Sequence, residues 1–141
     1  MKLLIINGPN MNLVGKREQD LYGSKTFTAY LKKLRSYYPE IQIEYFQSNI
    51  EGEIIDALHK GGFLYDGIIL NAGGYTHTSV SISDAVKAIK TPVVEVHISN
   101  IFARESFRHS SLIAPAVKGS IIGLGMESYR LAVESFKTSI G

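Results

Sequence analysis

Short runs of aliphatic and β-branched residues alternate with helical patterns along the whole 141-residue chain, and this alternation limits the fold more than any other feature. The run GIIL at residues 67–70 is apolar throughout, as expected of a strand that is covered on both faces. Between the runs, apolar side chains recur every three or four residues, which is the spacing of one helix face. Ser48 and Glu51 form a capping-box pattern ahead of the second helix. The predicted strands are residues 3–7, 41–46, 67–70, 93–98 and 120–123, and the predicted helices are residues 27–38, 49–61, 81–90, 101–107 and 126–136.

Strands that alternate with helices predict an open parallel sheet with helices on both faces. Right-handed crossovers then favour an α/β, flavodoxin-like three-layer sandwich whose five strands lie in the order 2-1-3-4-5. The length suits a single domain, residues 1–141. In such a sheet, ligands bind outside the carboxyl ends of the strands, near the switch point between strands 1 and 3. The residues that follow each strand are therefore the candidates for a site.

Composition excludes several classes of protein. The chain has no cysteine, which excludes disulfides, thiolate nucleophiles and cysteine metal sites. A net charge of +2 gives little reason to expect nucleic acid or an anionic membrane as a partner. No apolar run approaches the roughly 20 residues that a membrane span needs, and the first residues lack the layout of a signal peptide. We expect a cytoplasmic protein.

Three long polar segments follow the strands that should lie at the centre of the sheet. The first, GPNMNLVGKREQDLYG at residues 8–23, is much longer than the roughly 2–6 residues that join a strand to a helix. The others are NAGGYTHTS at residues 71–79 and EVHISN at residues 95–100, the latter continued by RESFRH. All three carry groups that hydrogen-bond or transfer protons, which predicts a polar site at this edge.

Common cofactor and nucleophile motifs are missing from these segments. The first loop has neither the G-x-G-x-x-G spacing of a dinucleotide site nor the Gly-Lys-Ser/Thr of a P-loop, and the chain lacks G-x-S-x-G. His77, His97 and His109 fall in separate segments without the spacing of metal ligands. We therefore expect no metal and no cofactor. The chemistry that these exclusions leave is acid–base catalysis on an anionic small molecule.

His97 is the strongest candidate for a general acid. It ends a predicted strand, and Glu95 lies two residues earlier on the same face. A structural histidine is the ordinary alternative for such a residue. His77 precedes a helix, where it could bind a ligand or cap the helix.

The long loop offers a base and its electrostatic partner. A phenol titrates near pH 10, so a tyrosine base such as Tyr22 needs a cation such as Arg17 to stabilise its anion. The alternative is that Tyr22 packs the loop and Arg17 is solvated. Asn10, Asn12 and Asn71 could orient water or hydroxyl groups, or could simply form turns.

Two further groups after strand 4 suit an anionic ligand. The backbone N–H groups of residues 99–101 open a predicted helix and could hold a carboxylate. Arg108 could bind a substrate hydroxyl or carboxylate, or could pair with Glu105 on the same helix.

Together the three segments resemble those of type II 3-dehydroquinate dehydratase, the shikimate-pathway hydro-lyase that serves chorismate and aromatic amino acid biosynthesis. Its motifs G-P-N-x-N-x-x-G-x-R-E-x-x-x-Y-G, N-P-G-A-Y-T-H-T-S and E-V-H-I-S-N…R-E-x-F-R match this chain in order and spacing. Gln19 stands where Pro is often found, and Ala72 and Gly74 replace Pro and Ala. These departures could loosen a ligand loop, but they remove no reacting group.

The resemblance implies a mechanism without metal, cofactor or covalent intermediate. Tyr22, kept anionic by Arg17, would remove a proton alpha to the ketone of 3-dehydroquinate. A water held by Asn10 would stabilise the enolate. His97, oriented by Glu95, would protonate the departing hydroxyl, which completes an anti elimination to 3-dehydroshikimate.

The resemblance also implies a set of substrate-binding residues and an assembly. Asp84 would reach the site of a neighbouring subunit in a homododecamer built as a tetramer of trimers, and Arg104 would close over the substrate. The full expected binding set is Asn71, Gly73, His77, Asp84, Ile98, Ser99, Arg104 and Arg108.

Overall fold

The structure, a computed structural model, describes residues 1–16, 18, 20 and 25–137. In this part of the chain one five-stranded sheet has the order β2-β1-β3-β4-β5. Every neighbouring pair of strands is parallel. The predicted strand order is therefore confirmed. The strands are β1 (Lys2–Asn7), β2 (Gln42–Gln47), β3 (Gly67–Asn71), β4 (Val93–His97) and β5 (Gly119–Ile122).

Helices cover both faces of the sheet. Leu3 and Ile5 of β1 belong to one apolar cluster, whereas Leu4 and Ile6 belong to the other, because successive strand residues point to opposite faces. The first cluster includes residues of α1 and α4, and the second includes residues of α2 and α3. The predicted three-layer arrangement is confirmed. The helices are α1 (Phe27–Tyr37), α2 (Glu51–Gly61), α3 (Val80–Ala88) and α4 (Glu127–Phe136).

The helix predicted at residues 101–107 is wrong. Two short 3₁₀ turns, Ile101–Ala103 and Ser106–His109, occupy this stretch. Arg104 separates them with an extended backbone, φ −107° and ψ −166°, which breaks the helical path. Among the described residues, no helix combines the length and the apolar character needed to cross a bilayer.

The capping box predicted at Ser48 and Glu51 is also wrong. Helix α2 begins two residues later than that pattern requires, after Ile50, which provides no side-chain cap. The Ser48 hydroxyl accepts the N–H of Ile50 at 2.9 Å and donates to the Glu53 carboxylate at 2.5 Å. Glu51 instead accepts a hydrogen bond from the Ser79 hydroxyl at 2.6 Å, which ties α2 to the start of α3.

The loops after β1 and β3 are joined directly to one another. The N–H of Gly8 donates to the carbonyl of Asn71 at 2.7 Å. A Cβ at Gly8 would lie 2.6 Å from the carbonyl oxygen of Ala72, so only glycine fits here. This contact brings the carboxyl ends of β1 and β3 together at one edge of the sheet.

Candidate active site

A cleft of about 140 Å³ opens at the carboxyl ends of β1, β3 and β4. This is the position that the strand order predicts for a ligand. Nine of the residues expected to serve a site line it: Asn10, Asn71, Gly73, His77, His97, Ile98, Ser99, Arg104 and Arg108.

Of the other four expected residues, two do not line the cleft and two lie outside the described residues. Glu95 is buried behind the cleft wall, with 1% of its surface exposed, and contacts His97. Asp84 is exposed on α3 and does not line the cleft of its own chain. Tyr22 and Arg17, the expected base and its partner, lie outside the described residues, as does Gln19.

Strand β4 places His97 and Glu95 on the same side of the sheet. His97 is 5% exposed, and its Nε2 lies 3.0 Å from Oε2 of Glu95. No hydrogen bond from Nε2 is formed within the described residues, so the contact is electrostatic. A carboxylate has no proton to donate when ionised, so the nitrogen that faces it carries one. The pair is therefore arranged as an imidazole N–H beside a carboxylate.

Two serine hydroxyls complete the surroundings of Glu95. Ser120 donates to Oε1 at 2.7 Å, and Ser111 donates to Oε2 at 2.7 Å. Burial alone would raise the pKa of Glu95, but the His97 imidazole and the two hydroxyls outweigh it and hold that pKa below its ordinary value. The sequence analysis missed both serines, because nothing in their local sequence distinguishes them from surface residues.

The rings of His77 and His97, which both line the cleft, lie near one another. The two rings are 6.4 Å apart and nearly parallel, at 22°. Nδ1 of His77 lies 2.8 Å from the carbonyl oxygen of Ser110, which fixes a proton on Nδ1 and leaves Nε2 for a ligand. Ser79, rather than His77, caps α3 by accepting the N–H of Ile82. Of the two roles left open by the sequence, the capping role is thus excluded.

The floor of the cleft depends on a tyrosine that the sequence analysis missed. Nδ2 of Asn71 donates to the Tyr129 hydroxyl at 2.9 Å, and that hydroxyl donates to Oδ1 of Asn7 at 2.8 Å. Oδ1 of Asn71 accepts the N–H of Gly73 at 3.1 Å. Tyr129 is fully buried, and this burial raises its pKa. The Asn71 amide is therefore held at both ends by the protein.

Asn10 occupies a turn at the mouth of the cleft. Its backbone is in the left-handed region, at φ 69°, which asparagine tolerates better than most residues. Its N–H donates to Oδ1 of Asn49 at 3.0 Å, whereas its side chain provides no cap to the following turn, Met11–Leu13. Asn10 therefore forms the turn with its backbone, and its amide remains available to the cleft.

Two arginines give one wall of the cleft a positive charge. Nη1 of Arg104 donates to the Ser99 hydroxyl at 3.3 Å. Arg108 pairs with Glu105, the alternative that the sequence left open, and this hydrogen bond lowers the pKa of Glu105. Guanidinium groups bind carboxylates with two parallel hydrogen bonds. The wall is thus suited to a small anionic molecule.

The chemistry available in the cleft is that of proton transfer. Within residues 1–16, 18, 20 and 25–137, no three His, Asp or Glu side chains are grouped so that they could hold a metal ion. The cleft instead combines a buried imidazole–carboxylate pair, neutral amides and two cations. This set can bind an anion and donate a proton to it.

Comparison with known proteins agrees with this chemistry. The profile of the family described as dehydroquinase class II matches residues 1–137. The 3-dehydroquinate dehydratase of Bacillus licheniformis is 53% identical over 136 residues, which are 95% of this chain and 94% of that protein. The type II dehydroquinase of Butyrivibrio crossotus has a crystal structure that superposes with a TM-score of 0.94 at 40% identity, over 98% of each chain. The chain therefore belongs to the class II dehydroquinase family, whose members are hydro-lyases.

Proposed function

We propose that this protein removes water from 3-dehydroquinate by an anti elimination that proceeds through an enolate and gives 3-dehydroshikimate. The observation that carries the proposal is the buried pair of Glu95 and His97 at the wall of a cleft that also holds Arg104 and Arg108. The pair supplies a proton, and the arginines attract the carboxylate of the substrate. In the family, this reaction belongs to the shikimate pathway.

His97 is proposed as the general acid. Its Nε2 faces Glu95, so Nδ1 is the ring nitrogen left for the substrate. To act as the acid, the ring must carry a proton on Nδ1 as well as on Nε2, and the Nδ1 proton passes to the departing hydroxyl. The hydroxyl leaves as water, and Glu95 holds the ring in position throughout.

Tyr22 is proposed as the base and Arg17 as the cation that keeps it ionised. Both lie outside the described residues, so the support comes from the motif and from the part of the loop that is described. Asn10 and Met11, which begin this loop, line the cleft. In the middle of the loop, Gly15 follows Val14 of the cleft wall and packs against the backbone of residues 25 and 26. The described residues that flank Arg17 and Tyr22 thus lie close to one another.

The remaining residues are proposed to hold the substrate. The Asn10 amide would orient the water that stabilises the enolate, and Nε2 of His77 would accept a substrate hydroxyl. Arg108 would exchange Glu105 for the substrate carboxylate, with the N–H groups near Ser99 as further donors. Asn71 and Gly73 would shape the floor, Ile98 would close one side, and Arg104 would cover the bound molecule.

Turnover of 3-dehydroquinate by the purified protein tests this function. The enone of 3-dehydroshikimate absorbs in the ultraviolet, so its formation can be followed directly. We expect turnover in the presence of a metal chelator and without added cofactor. No absorbance change at any pH between 6 and 9, with a folded protein, would refute the proposal.

A homododecamer is proposed as the assembly in which the site is complete. Asp84 is exposed on α3 and lies away from the cleft of its own chain, so only a neighbouring subunit could bring it to a cleft. Sedimentation equilibrium should give twelve chain masses. Asp84→Ala should lower kcat/KM without changing that mass. A monomer with full activity would contradict the assignment.

The proposed location is the cytoplasm, as the sequence predicts. Cell fractionation, followed by the same absorbance assay, tests the location. Activity that sediments with membranes would contradict it.

A further inference from the structure

We propose that Ser120 and Ser111 are positioning residues, whose hydroxyls hold both oxygens of the Glu95 carboxylate so that it faces His97 as an anion. The inference rests on the proposed role of His97 as the acid. Neither serine lines the cleft, so each would act on the reaction only through Glu95.

Ser120 reaches Glu95 because of the register of the sheet. The two residues are direct partners in the parallel pairing of β4 with β5, and their side chains lie on the same face. The Ser120 hydroxyl donates to Oε1 at 2.7 Å. The side chain of Ser120 makes no other hydrogen bond among the described residues. Removal of its hydroxyl should therefore break this hydrogen bond alone.

Ser111 reaches Glu95 from the connection between β4 and β5. Its hydroxyl donates to Oε2 at 2.7 Å and accepts the N–H groups of Ile113 and Ala114 at 3.2 and 2.9 Å. It therefore also fixes the turn that follows it. Ser111 thus has a positioning role and a structural role, whereas Ser120 has the positioning role alone.

The donors around Glu95 select its ionised form. Each serine hydroxyl has one proton, and both protons point at the carboxylate, which accepts but does not donate when ionised. A protonated Glu95 would accept these two hydrogen bonds less strongly, because a neutral carboxyl is a weaker acceptor than a carboxylate. The titratable groups near this carboxylate are His97 on the same strand and His77 beyond it. The contacts from β5 and from the β4–β5 connection are neutral hydroxyls.

The orientation of the carboxylate matters because no hydrogen bond from Nε2 fixes its short contact with His97 within the described residues. A carboxylate that lost one hydroxyl would be free to rotate about its last bond, and the imidazole would follow it. Small displacements of a reacting group lower the rate much more than they lower binding. The effect of the serines should therefore appear in kcat rather than in KM.

Ser120→Ala tests the inference in the assembled enzyme. We expect kcat to fall about tenfold, the effect of one lost hydrogen bond to a charged group, while KM stays unchanged. Ser120→Thr keeps the hydroxyl at an exposed strand position and should restore kcat. Ser36→Ala, which removes an exposed hydroxyl of α1, is the matched control and should leave kcat unchanged. Ser111→Ala should lower both kcat and the unfolding midpoint.

A spectroscopic titration gives a result that does not depend on turnover. In protein with ¹³C-labelled glutamate side chains, the carboxyl signal of Glu95 should titrate at higher pH in Ser120→Ala than in the wild type, and Ser120→Thr should return it. If the wild type turns over 3-dehydroquinate but Ser120→Ala changes neither kcat nor the titration of Glu95, the inference about the serines is overturned. The proposed function would stand in that case. Loss of wild-type turnover would instead refute the proposed function, and the titration would still decide the role of the serines.

Discussion

A buried imidazole and a buried carboxylate stand side by side on β4, and each would be costly without the other. Both are largely shielded from water, since Glu95 and His97 are 1% and 5% exposed. Removal of one member of such a pair leaves the other without compensation. Burial of this kind is more useful for positioning a proton than for stability. The pair is therefore where a single substitution should change the chemistry most.

His97→Ala should lower kcat by about 10²–10⁴-fold, the usual contribution of a general acid. His59→Ala is the control, because His59 is exposed on α2 and does not line the cleft. Steady-state kinetics with 3-dehydroquinate measure both variants. If the two substitutions lowered kcat equally, His97 would not be the acid.

Tyr129→Phe should reduce the free energy of unfolding by about 1–3 kcal/mol, because it removes a buried donor to Oδ1 of Asn7 and a buried acceptor for Nδ2 of Asn71. Tyr37→Phe is the matched control: Tyr37 is 66% exposed, so loss of its hydroxyl should change stability little. Urea unfolding followed by circular dichroism measures both. Equal stability of the Tyr129 variant and the wild type would show that water replaces the hydroxyl.

At the scale of elements, the loop after β1 is closed at its base. Gly15 has φ 89°, and a Cβ there would lie 2.8 Å from the backbone carbonyl of Lys25 and from the N of Thr26. Two stretches of backbone therefore meet at the one residue type that allows it. Residue 15 can pack against residues 25 and 26 in this way only while it lacks a side chain.

Gly15→Ala should destabilise the protein by at least about 1–2 kcal/mol, the cost of a left-handed backbone for a residue with a Cβ. It should also lower kcat/KM, because the proposed base lies on this loop. Gly52→Ala makes the same change within α2, where nothing lies within 4 Å, and should stabilise by about 0.5–1 kcal/mol. Thermal unfolding of the two variants should thus shift in opposite directions. A shift in the same direction would contradict the packing described here.

Element types followed from the sequence wherever apolar periodicity was strong, as in β3 and α1. Residues 101–107 were predicted as a helix because their composition permits one, but Arg104 is extended where the chain turns along the cleft. The cap at Ser48 failed for a similar reason, since its hydroxyl serves Glu53 and a turn instead of the helix. In both places a contact made in three dimensions outweighed a local preference.

At the scale of the whole molecule, the order of the parallel strands by itself predicts the position of the site. Strand order placed three polar loops at one edge, and this much could be predicted from the sequence. The contacts of Ser120 and Tyr129 could not, because they depend on strand register and on the docking of α4. Local sequence carries little information about contacts between segments that are far apart in the chain.

The stability of the molecule should decrease at both ends of the pH range. The pKa of Glu95 is lower in the folded state than its ordinary value of 4.5. Its contribution to the free energy of unfolding is therefore present above pH 4.5 and is lost as the pH falls through the pKa of the folded protein. Burial raises the pKa of Tyr30 to about 12 and raises that of Tyr129, so their contributions are present below 10.0 and are lost as the pH rises beyond it.

Urea unfolding at pH 3.5, 7 and 11 should therefore give the largest free energy of unfolding at pH 7. Absorbance of tyrosinate at pH 11 should increase further when urea unfolds the protein, because the buried tyrosines ionise only then. Full ionisation of all tyrosines in the folded protein at that pH would show that these side chains are not protected from solvent.

The link from Asn71 to Tyr129 spans 58 positions in the chain, and the link from Tyr129 to Asn7 spans 122. During synthesis, the strands that carry the two asparagines emerge long before α4 does. The cleft therefore lacks its floor until the last helix has docked, and a chain still on the ribosome would carry most of the ligand-binding loops without being able to hold a ligand in them. Completion of the site would thus report completion of folding.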